Sequence, residues 1–305
     1  MAESVFTIPA GDGSPILVRR WTAGAEPRAV VQIAHGLTEH SARYVRLAAA
    51  LNAAGYEVWA SDHRGHGPAC DPAALGHLAD ADGWAKTVGD LSSVNRRIAA
   101  DRPGVPVVLL GHSMGSYLAR TFAAEHPDAL AGLVLSASDG APAAIEGPAR
   151  LLARIERLRV GKRGKSALLN RLMFGEYNKP FRPVRTPVDW LSRDPAEVDA
   201  YVADPFCGFP FTTQLAVDLL DARAFALSPA SLAPLRKDMP IYAFSGASDP
   251  VGPNIQRLFG DLQAGGFSRV TTRLYPDARH ETLNETNRDE VTRDLIAWLD
   301  EAVQG

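Results

Sequence analysis

Short apolar runs alternate with helical patterns along most of this 305-residue sequence. Several runs are apolar on both faces, which is typical of strands in a parallel sheet that helices cover on both sides. They occupy residues 29–34, 56–61, 107–111, 133–138, 241–246 and 271–276. Two earlier runs, 4–10 and 16–21, are separated by GDGSP and indicate an antiparallel hairpin. The alternation predicts an α/β fold with a mostly parallel, doubly wound sheet.

The alternation stops at about residue 139 and resumes near residue 240. Outside this interval, residues 84–100 and 288–303 repeat apolar side chains on one helical face. The interval itself contains a stretch rich in Pro, Asp and aromatic residues and holds no obvious sheet strand. We therefore predict a core of residues 1–138 and 235–305, with residues 139–234 inserted between two strands as a helical lid.

The run at 107–111 leads directly into the sequence Gly-His-Ser-Met-Gly, and a helical pattern follows. Between a strand and a helix, Gly-x-Ser-x-Gly forms a sharp turn, the nucleophile elbow, which exposes the serine hydroxyl. Gly111 and Gly115 allow the two backbones to approach, and the start of the helix favours negative charge. This context predicts that Ser113 is a catalytic nucleophile and not a structural turn residue.

A serine hydroxyl becomes a good nucleophile only when a base takes its proton, and a carboxylate must orient that base. In this arrangement the chain order is Ser, then Asp or Glu, then His. Six of the eight histidines precede or directly adjoin Ser113, and His126 ends the following helix. His280, on the loop after the last predicted strand, is therefore the predicted base.

Two loops offer a carboxylate for His280. Asp249 follows the penultimate strand in a short turn that ends in Pro250, and Asp139 follows the strand before it. Asp277 is too close to His280 in sequence to be the expected partner. We favour Asp249 and keep the other two as alternatives.

An acyl-transfer site also needs two backbone N–H groups for the oxyanion that forms during the reaction. One is expected from Met114, directly after the nucleophile, and the other from Leu37, in the loop that follows the strand at 29–34. The loops near Leu37 also carry His35, His40, Asp62, His63 and His66, a set that could bind zinc. Because no metal-binding spacing such as H-E-x-x-H is present, we expect neither a metal nor another cofactor.

The motifs HGLTEHSARY, SDHRGHG, GHSMGS, SGASDPVG and YPDARHE together resemble the monoacylglycerol lipase and bacterial lysophospholipase branch of the α/β-hydrolases. This branch is also grouped with the serine aminopeptidase family. The resemblance runs from about residue 15 to residue 300, and includes a segment similar to the lid of bacterial members. It implies a triad of Ser113, Asp249 and His280, with Leu37 and Met114 as oxyanion donors.

The resemblance further implies hydrolysis of carboxylic esters through an acyl-enzyme, with a monoacylglycerol or lysophospholipid as substrate. Phe206, Phe209, Phe211 and Leu215 could supply apolar surface for the acyl chain. Peptidases, thioesterases and acyltransferases use the same triad and stay open as alternatives. A non-catalytic, ligand-binding protein of this fold is a further alternative, although an intact triad argues against it.

The first part of the expected lid is strongly basic. Residues 145–175 hold eight Lys or Arg and two Glu, a net charge of +6 in a chain of net charge −3. Leu151, Leu152, Ile155 and Leu158 form an apolar stripe there. Such a helix can rest on an anionic membrane, or it can pack its leucines on the protein body. We favour the second interpretation and keep peripheral membrane contact as the alternative.

Composition narrows the partners and the compartment. The pI of about 6.2 argues against a nucleic-acid partner, and no apolar run approaches the length of a membrane span. The start of the sequence lacks a basic segment followed by an apolar one, so we expect no signal peptide. Only Cys70 and Cys207 occur, which favours a reducing compartment. We expect a cytoplasmic protein.

Overall fold

The computed structural model describes residues 2–22, 24, 26–140 and 146–304. Its centre is one sheet of eight strands, in the spatial order β1-β2-β4-β3-β5-β6-β7-β8. The strands are β1 (Ala2–Pro9), β2 (Pro15–Thr22), β3 (Val30–Ala34), β4 (Glu57–Ser61), β5 (Val107–His112), β6 (Gly132–Ser136), β7 (Ile241–Gly246) and β8 (Val270–Tyr275). Strands β3 to β8 are parallel, whereas β2 pairs antiparallel with both β1 and β4. The predicted fold class and N-terminal hairpin are confirmed.

The five central parallel strands are buried at every position, since helices cover both faces of the sheet. Helices α1 (Val45–Ala53) and α9 (Arg288–Ala302) pack on one face. Helices α2 (Gly83–Asp101) and α3 (Met114–Glu125) pack on the other. The predicted helix at 84–100 is one residue shorter than α2 at each end, and the predicted helix at 288–303 is one residue longer than α9 at its C-terminal end. Helix α8 (Ile255–Ala264) joins the second face.

We call the segment between β6 and β7 the insertion, and its described residues form four α-helices. They are α4 (Glu146–Val160), α5 (Ala167–Phe174), α6 (Pro195–Ala203) and α7 (Thr213–Ala226). No strand occurs among the described residues of the insertion. Side-chain hydroxyls cap the N-termini of α5 and α7. Ser166 Oγ accepts the Leu169 N–H and Thr212 Oγ1 accepts the Leu215 N–H, both at 3.2 Å. Helix α7 packs against α2, α3 and α4, which anchors the insertion to the core.

The carboxyl ends of the parallel strands meet at one edge of the sheet. The loops after β3, β5, β6, β7 and β8 all start from this edge, below the insertion. In an open α/β sheet, binding sites form at this edge. Among the helices of the described chain, none combines the length and the apolar character that a membrane span requires.

Candidate active site

Ser113 occupies the sharp turn between β5 and α3. Its backbone lies in the left-handed region, with φ 52° and ψ −120°, where a residue other than glycine is strained. The flanking glycines are required by close backbone contacts: a Cβ on Gly111 would lie 2.3 Å from the Gly115 carbonyl oxygen, and one on Gly115 would lie 2.0 Å from that of Ala34. The turn therefore holds the Ser113 hydroxyl at the start of α3, above the edge of the sheet.

Three predicted residues meet at this turn, although they come from separate loops. The Ser113 hydroxyl donates to Nε2 of His280 over 2.9 Å. Nδ1–H of His280 donates to both carboxylate oxygens of Asp249, each at 3.0 Å. Asp249 also accepts the Val251 N–H and the Ser245 hydroxyl, both at 2.9 Å. The chain of hydrogen bonds has the order and the distances that a serine nucleophile, a base and an orienting carboxylate require.

His280 and Asp249 each stabilise the charged form of the other. Burial tends to lower the pKa of His280, but the Asp249 carboxylate outweighs it, and the pKa lies above its ordinary value. Burial likewise tends to raise the pKa of Asp249, but His280 and the bonds from Val251 and Ser245 hold it below its ordinary value. The carboxylate is therefore ionised and stabilises a proton on the imidazole.

Asp139, the main alternative carboxylate, is bonded elsewhere. Its Oδ1 accepts the N–H groups of Gly140 and Asn254 at 2.8 and 2.9 Å, and its Oδ2 lies 3.4 Å from Arg223. Burial raises the pKa of Asp139. Its side chain links the loop after β6 to the loop after β7, and it makes no hydrogen bond to His280, whose Nδ1 is bonded to Asp249. Asp277 lies in the turn after β8 with a φ of 57°.

The two predicted oxyanion donors face the same cavity as Ser113. Leu37 and Met114 both line it, and no other described residue accepts a hydrogen bond from either N–H. Met114 is the first residue of α3, so its N–H has no partner inside the helix. Leu37 precedes Thr38, whose φ of 55° turns the loop back. Both N–H groups are thus available to a ligand beside Ser113.

A buried ion network supports this arrangement, and the sequence reasoning missed it. The Arg43 guanidinium donates to both oxygens of Glu281, at 2.6 and 2.7 Å, and to Glu39 at 2.8 Å. Glu39 in turn accepts the Gly36 N–H at 2.5 Å, directly before Leu37 in the chain. Burial lowers the pKa of Arg43, but the two carboxylates raise it well above its ordinary value. One guanidinium therefore joins the loop of Leu37 to the loop of His280.

Replacing Arg43 with methionine should destabilise the protein strongly. The change leaves two buried carboxylates without their counter-ion, a defect that costs about 3–5 kcal/mol. The matched control is Arg46→Met, three residues further along the chain, because Arg46 is 45% exposed and pairs with Glu197 near the surface. That change should cost at most about 1 kcal/mol. Urea unfolding measures the free energy of unfolding of both variants. Equal small losses would show that Arg43 does not join the loop of Leu37 to the loop of His280.

The histidines considered as zinc ligands divide into two groups. His63 donates its backbone N–H to Nε2 of His35 at 3.0 Å and its ring Nε2–H to the His35 carbonyl at the same distance. The His66 ring lies 5.3 Å from the His35 ring, tilted by 57°, and its Nδ1 bonds to the Arg64 carbonyl. Burial lowers the pKa of His63 to about 3 and that of His66 to about 4, so these rings are neutral. The hydrogen bonds between His35 and His63 join the loops after β3 and β4. The His40 side chain points instead to Asp204 in the insertion.

A cavity of about 560 Å³ lies between the sheet edge and the insertion. Ser113, His280, Leu37 and Met114 form part of its wall. Eight apolar side chains of α4, α5 and α7 form another part of the wall, and these are Leu152, Leu169, Leu172, Met173, Phe174, Ala216, Leu219 and Leu220. A cavity with such an apolar wall beside a nucleophile suits a ligand with a hydrocarbon chain.

The four residues predicted to bind the acyl chain are not part of this wall. Phe209 packs 5.3 Å from the His66 ring, Phe211 packs 5.8 Å from Phe174, and Phe206 lies near His40. Leu215 is fully buried in the core. The reason is the rotation of α7, which directs Ala216, Leu219 and Leu220 to the cavity and Leu215 away from it.

Comparison with known proteins agrees with the fold. Residues 25–287 match the family described as serine aminopeptidase S33. The monoacylglycerol lipase of Mycolicibacterium smegmatis is 31% identical over 301 residues, covering 94% of this chain and 93% of the lipase. The monoglyceride lipase of Rattus norvegicus is 30% identical over 291 residues, covering 94% and 88% of the two chains.

A solved structure shows the same architecture. The thermostable carboxyl esterase from Bacillus coagulans, in complex with glycerol, superimposes with a TM-score of 0.91 at 28% identity, covering 99% of each chain. The similarity thus includes the insertion as well as the sheet. This chain belongs to the serine aminopeptidase S33 family of α/β-hydrolases, in the branch that includes the monoacylglycerol lipases.

Proposed function

We propose that the protein hydrolyses esters of single-chain fatty acids, such as monoacylglycerols or lysophospholipids. The observation that carries the proposal is the hydrogen-bonded chain Ser113–His280–Asp249 beside an apolar cavity. The names of the relatives support the choice of substrate, since the bacterial and rat proteins are called monoacylglycerol and monoglyceride lipase. The acyl chain would lie against α4, α5 and α7.

The reaction has two steps. Nε2 of His280 takes the proton of Ser113 while Oγ attacks the ester carbonyl, and the N–H groups of Leu37 and Met114 stabilise the oxyanion. Protonated His280 then gives its proton to the departing alcohol, which leaves an acyl group on Ser113. Water, activated by His280, hydrolyses this acyl-enzyme. Asp249 fixes the imidazole tautomer and stabilises its positive charge throughout.

We assign residues 139–234 to a helical lid over the site. The described part of this segment supplies most of the apolar cavity wall, and polar contacts join it to the core at several places. One of them lies at the loop between α4 and α5, where Arg163 pairs with Asp80 at 2.8 Å and Lys162 donates to the Asp80 carbonyl. Substrate selection would then depend on the insertion and not on the triad.

A series of monoacylglycerols with acyl chains from butanoyl to octadecanoyl tests this function. We expect kcat/KM to increase from the shortest chains to those that fill the cavity, because each buried methylene contributes about 0.8 kcal/mol. A fluorophosphonate probe should label Ser113, and mass spectrometry of the digest locates the adduct. Turnover of acetyl esters or of peptides alone would contradict the lipid assignment, and absence of labelling would contradict the nucleophile.

We also propose that α4 and α5 contact membranes, the interpretation that we did not favour from the sequence. The predicted packing of the α4 stripe holds only for Leu152, because Leu151, Ile155 and Leu158 are 61, 50 and 84% exposed. The inward face of α4 is instead formed by Ala153 and Glu156, both buried. An apolar face beside basic side chains is suited to the surface of an anionic bilayer.

Vesicle flotation tests the membrane contact. The wild type should bind vesicles that contain phosphatidylserine more strongly than neutral ones, and added salt should weaken the binding. Leu158→Glu should reduce it at least about tenfold, since burying a leucine contributes roughly 1.5–3 kcal/mol. Val5→Glu is the matched control, because Val5 is 49% exposed on β1, outside the insertion. Equal binding of both variants would contradict the assignment.

A further inference from the structure

His40, one of the histidines close to the oxyanion loop, faces a segment of the insertion that lies far from it in sequence. Nε2–H of His40 donates to Oδ2 of Asp204 over 2.8 Å. Ligand atoms of His40, Asp204 and Cys207 all lie within 4.8 Å of one another. Within the described ranges, this is the group of histidine, cysteine and acidic side chains whose spacing suits a metal ion. We propose that these three residues bind a divalent cation of the zinc class.

The donor set selects the class of metal. An imidazole nitrogen, a thiolate sulfur and a carboxylate oxygen are ligands of Zn²⁺ and Co²⁺, whereas Mg²⁺ and Ca²⁺ prefer oxygen ligands alone. Ligands at about 2.0–2.3 Å from a tetrahedral zinc ion lie roughly 3.3–3.8 Å apart. Side-chain movements of about 1 Å therefore suffice to form the site from the present positions. Three protein ligands leave the fourth position to water.

The surroundings also favour a cation. The His40 side chain is only 8% exposed, and its second ring nitrogen, Nδ1, is buried without a hydrogen-bond partner among the described residues. Burial raises the pKa of the Cys207 thiol, and the charged groups that act on it most strongly are the cation Arg43 and three carboxylates, those of Asp204, Glu39 and Glu281. This excess of negative charge attracts a divalent ion. Asp204 and Cys207 are partly exposed, which provides a path for its entry.

A bound metal would act on the oxyanion loop. Directly after Cys207, the Gly208 N–H donates to the Thr38 carbonyl at 2.9 Å, and the Tyr201 hydroxyl donates to the same oxygen at 3.0 Å. The segment 204–208 thus already contacts the turn that follows Leu37. A metal held by His40 and this segment would fasten the two together at a second point, so the occupied site should stabilise the folded protein.

Cobalt titration of the full-length, untagged and reduced protein tests the site. One equivalent of Co²⁺ should produce a sulfur-to-cobalt charge-transfer band together with the visible bands of tetrahedral cobalt. Cys207→Ser should abolish the charge-transfer band, while Cys70→Ser, the control at the other cysteine, should keep it. His40→Gln and Asp204→Asn should weaken Co²⁺ binding by at least about tenfold. No band in the wild type, or a band that survives in Cys207→Ser, would overturn the proposal.

Thermal unfolding provides the second measurement. Zn²⁺ should raise the Tm of the wild type and of Cys70→Ser, because a ligand that binds the native state alone stabilises it. It should leave the Tm of Cys207→Ser unchanged, and the Tm of this variant without metal shows whether it folds. An equal rise in all three proteins would contradict the site. Neither measurement uses ester turnover. A negative result would therefore contradict the metal site and leave the proposed function intact, and absence of ester turnover would leave the metal site intact.

Discussion

Ser113→Ala is expected to lower kcat for ester hydrolysis by about 10⁴- to 10⁶-fold. The change removes the atom that attacks the carbonyl and leaves the remaining groups in place. The oxyanion N–H groups of Leu37 and Met114 do not depend on the Ser113 side chain, so a small residual rate from these donors should persist. Initial rates with a monoacylglycerol measure the loss.

The control for this substitution is the second serine of the same turn. Ser116 is buried in α3, and its hydroxyl donates to the Ser113 carbonyl at 2.7 Å, away from His280. Ser116→Ala should therefore keep most of the activity and the fluorophosphonate labelling, whereas Ser113→Ala should lose both. Thermal unfolding shows that both variants fold. Full turnover by Ser113→Ala would mean that another group is the nucleophile.

The position of Ser113 is readable from the sequence because it depends on neighbours in the chain. A buried strand, two glycines and a helix start act within ten residues, and they force the serine into its turn whatever lies elsewhere. His280 and Asp249 follow from chain order, since each loop at the sheet edge leaves from a known strand. The geometry of the three side chains agrees with this prediction, and their catalytic roles stay a proposal.

The residues that line the cavity cannot be predicted from the sequence in the same way. Helix α7 is apolar on nearly all sides, so its sequence pattern does not decide whether Leu215 or Ala216 faces the cavity, and a rotation of about 100° separates these neighbours. The exposed stripe on α4 shows the same limit, since periodicity identifies an apolar face but not what covers it. The bond between Arg43 and Glu281 joins residues 238 positions apart, and no local pattern marks it.

Asp249→Asn is expected to lower kcat by about 10⁴-fold, and it decides between the two candidate carboxylates. An asparagine can present its NH₂ group to Nδ1 of His280, which then carries the proton on Nε2 and cannot accept one from Ser113. Asp139→Asn should have a small effect on kcat, because an amide oxygen can still accept the N–H groups of Gly140 and Asn254. Loss of activity in Asp139→Asn alone would move the carboxylate to the loop after β6.

The dependence of activity on pH shows whether Asp249 acts on the charge of His280 or has a merely structural role. The base must be neutral to accept a proton, so activity falls as the pH decreases through the pKa of His280. Burial tends to lower this pKa and the Asp249 charge raises it above its ordinary value, so the wild type should lose activity already on mild acidification. Asp249→Asn removes the charge and should shift the remaining activity profile to lower pH. Asp139→Asn should keep a profile close to that of the wild type, because the side chain of Asp139 bonds to Gly140, Asn254 and Arg223 and not to His280. An equal shift in both variants would contradict the assignment.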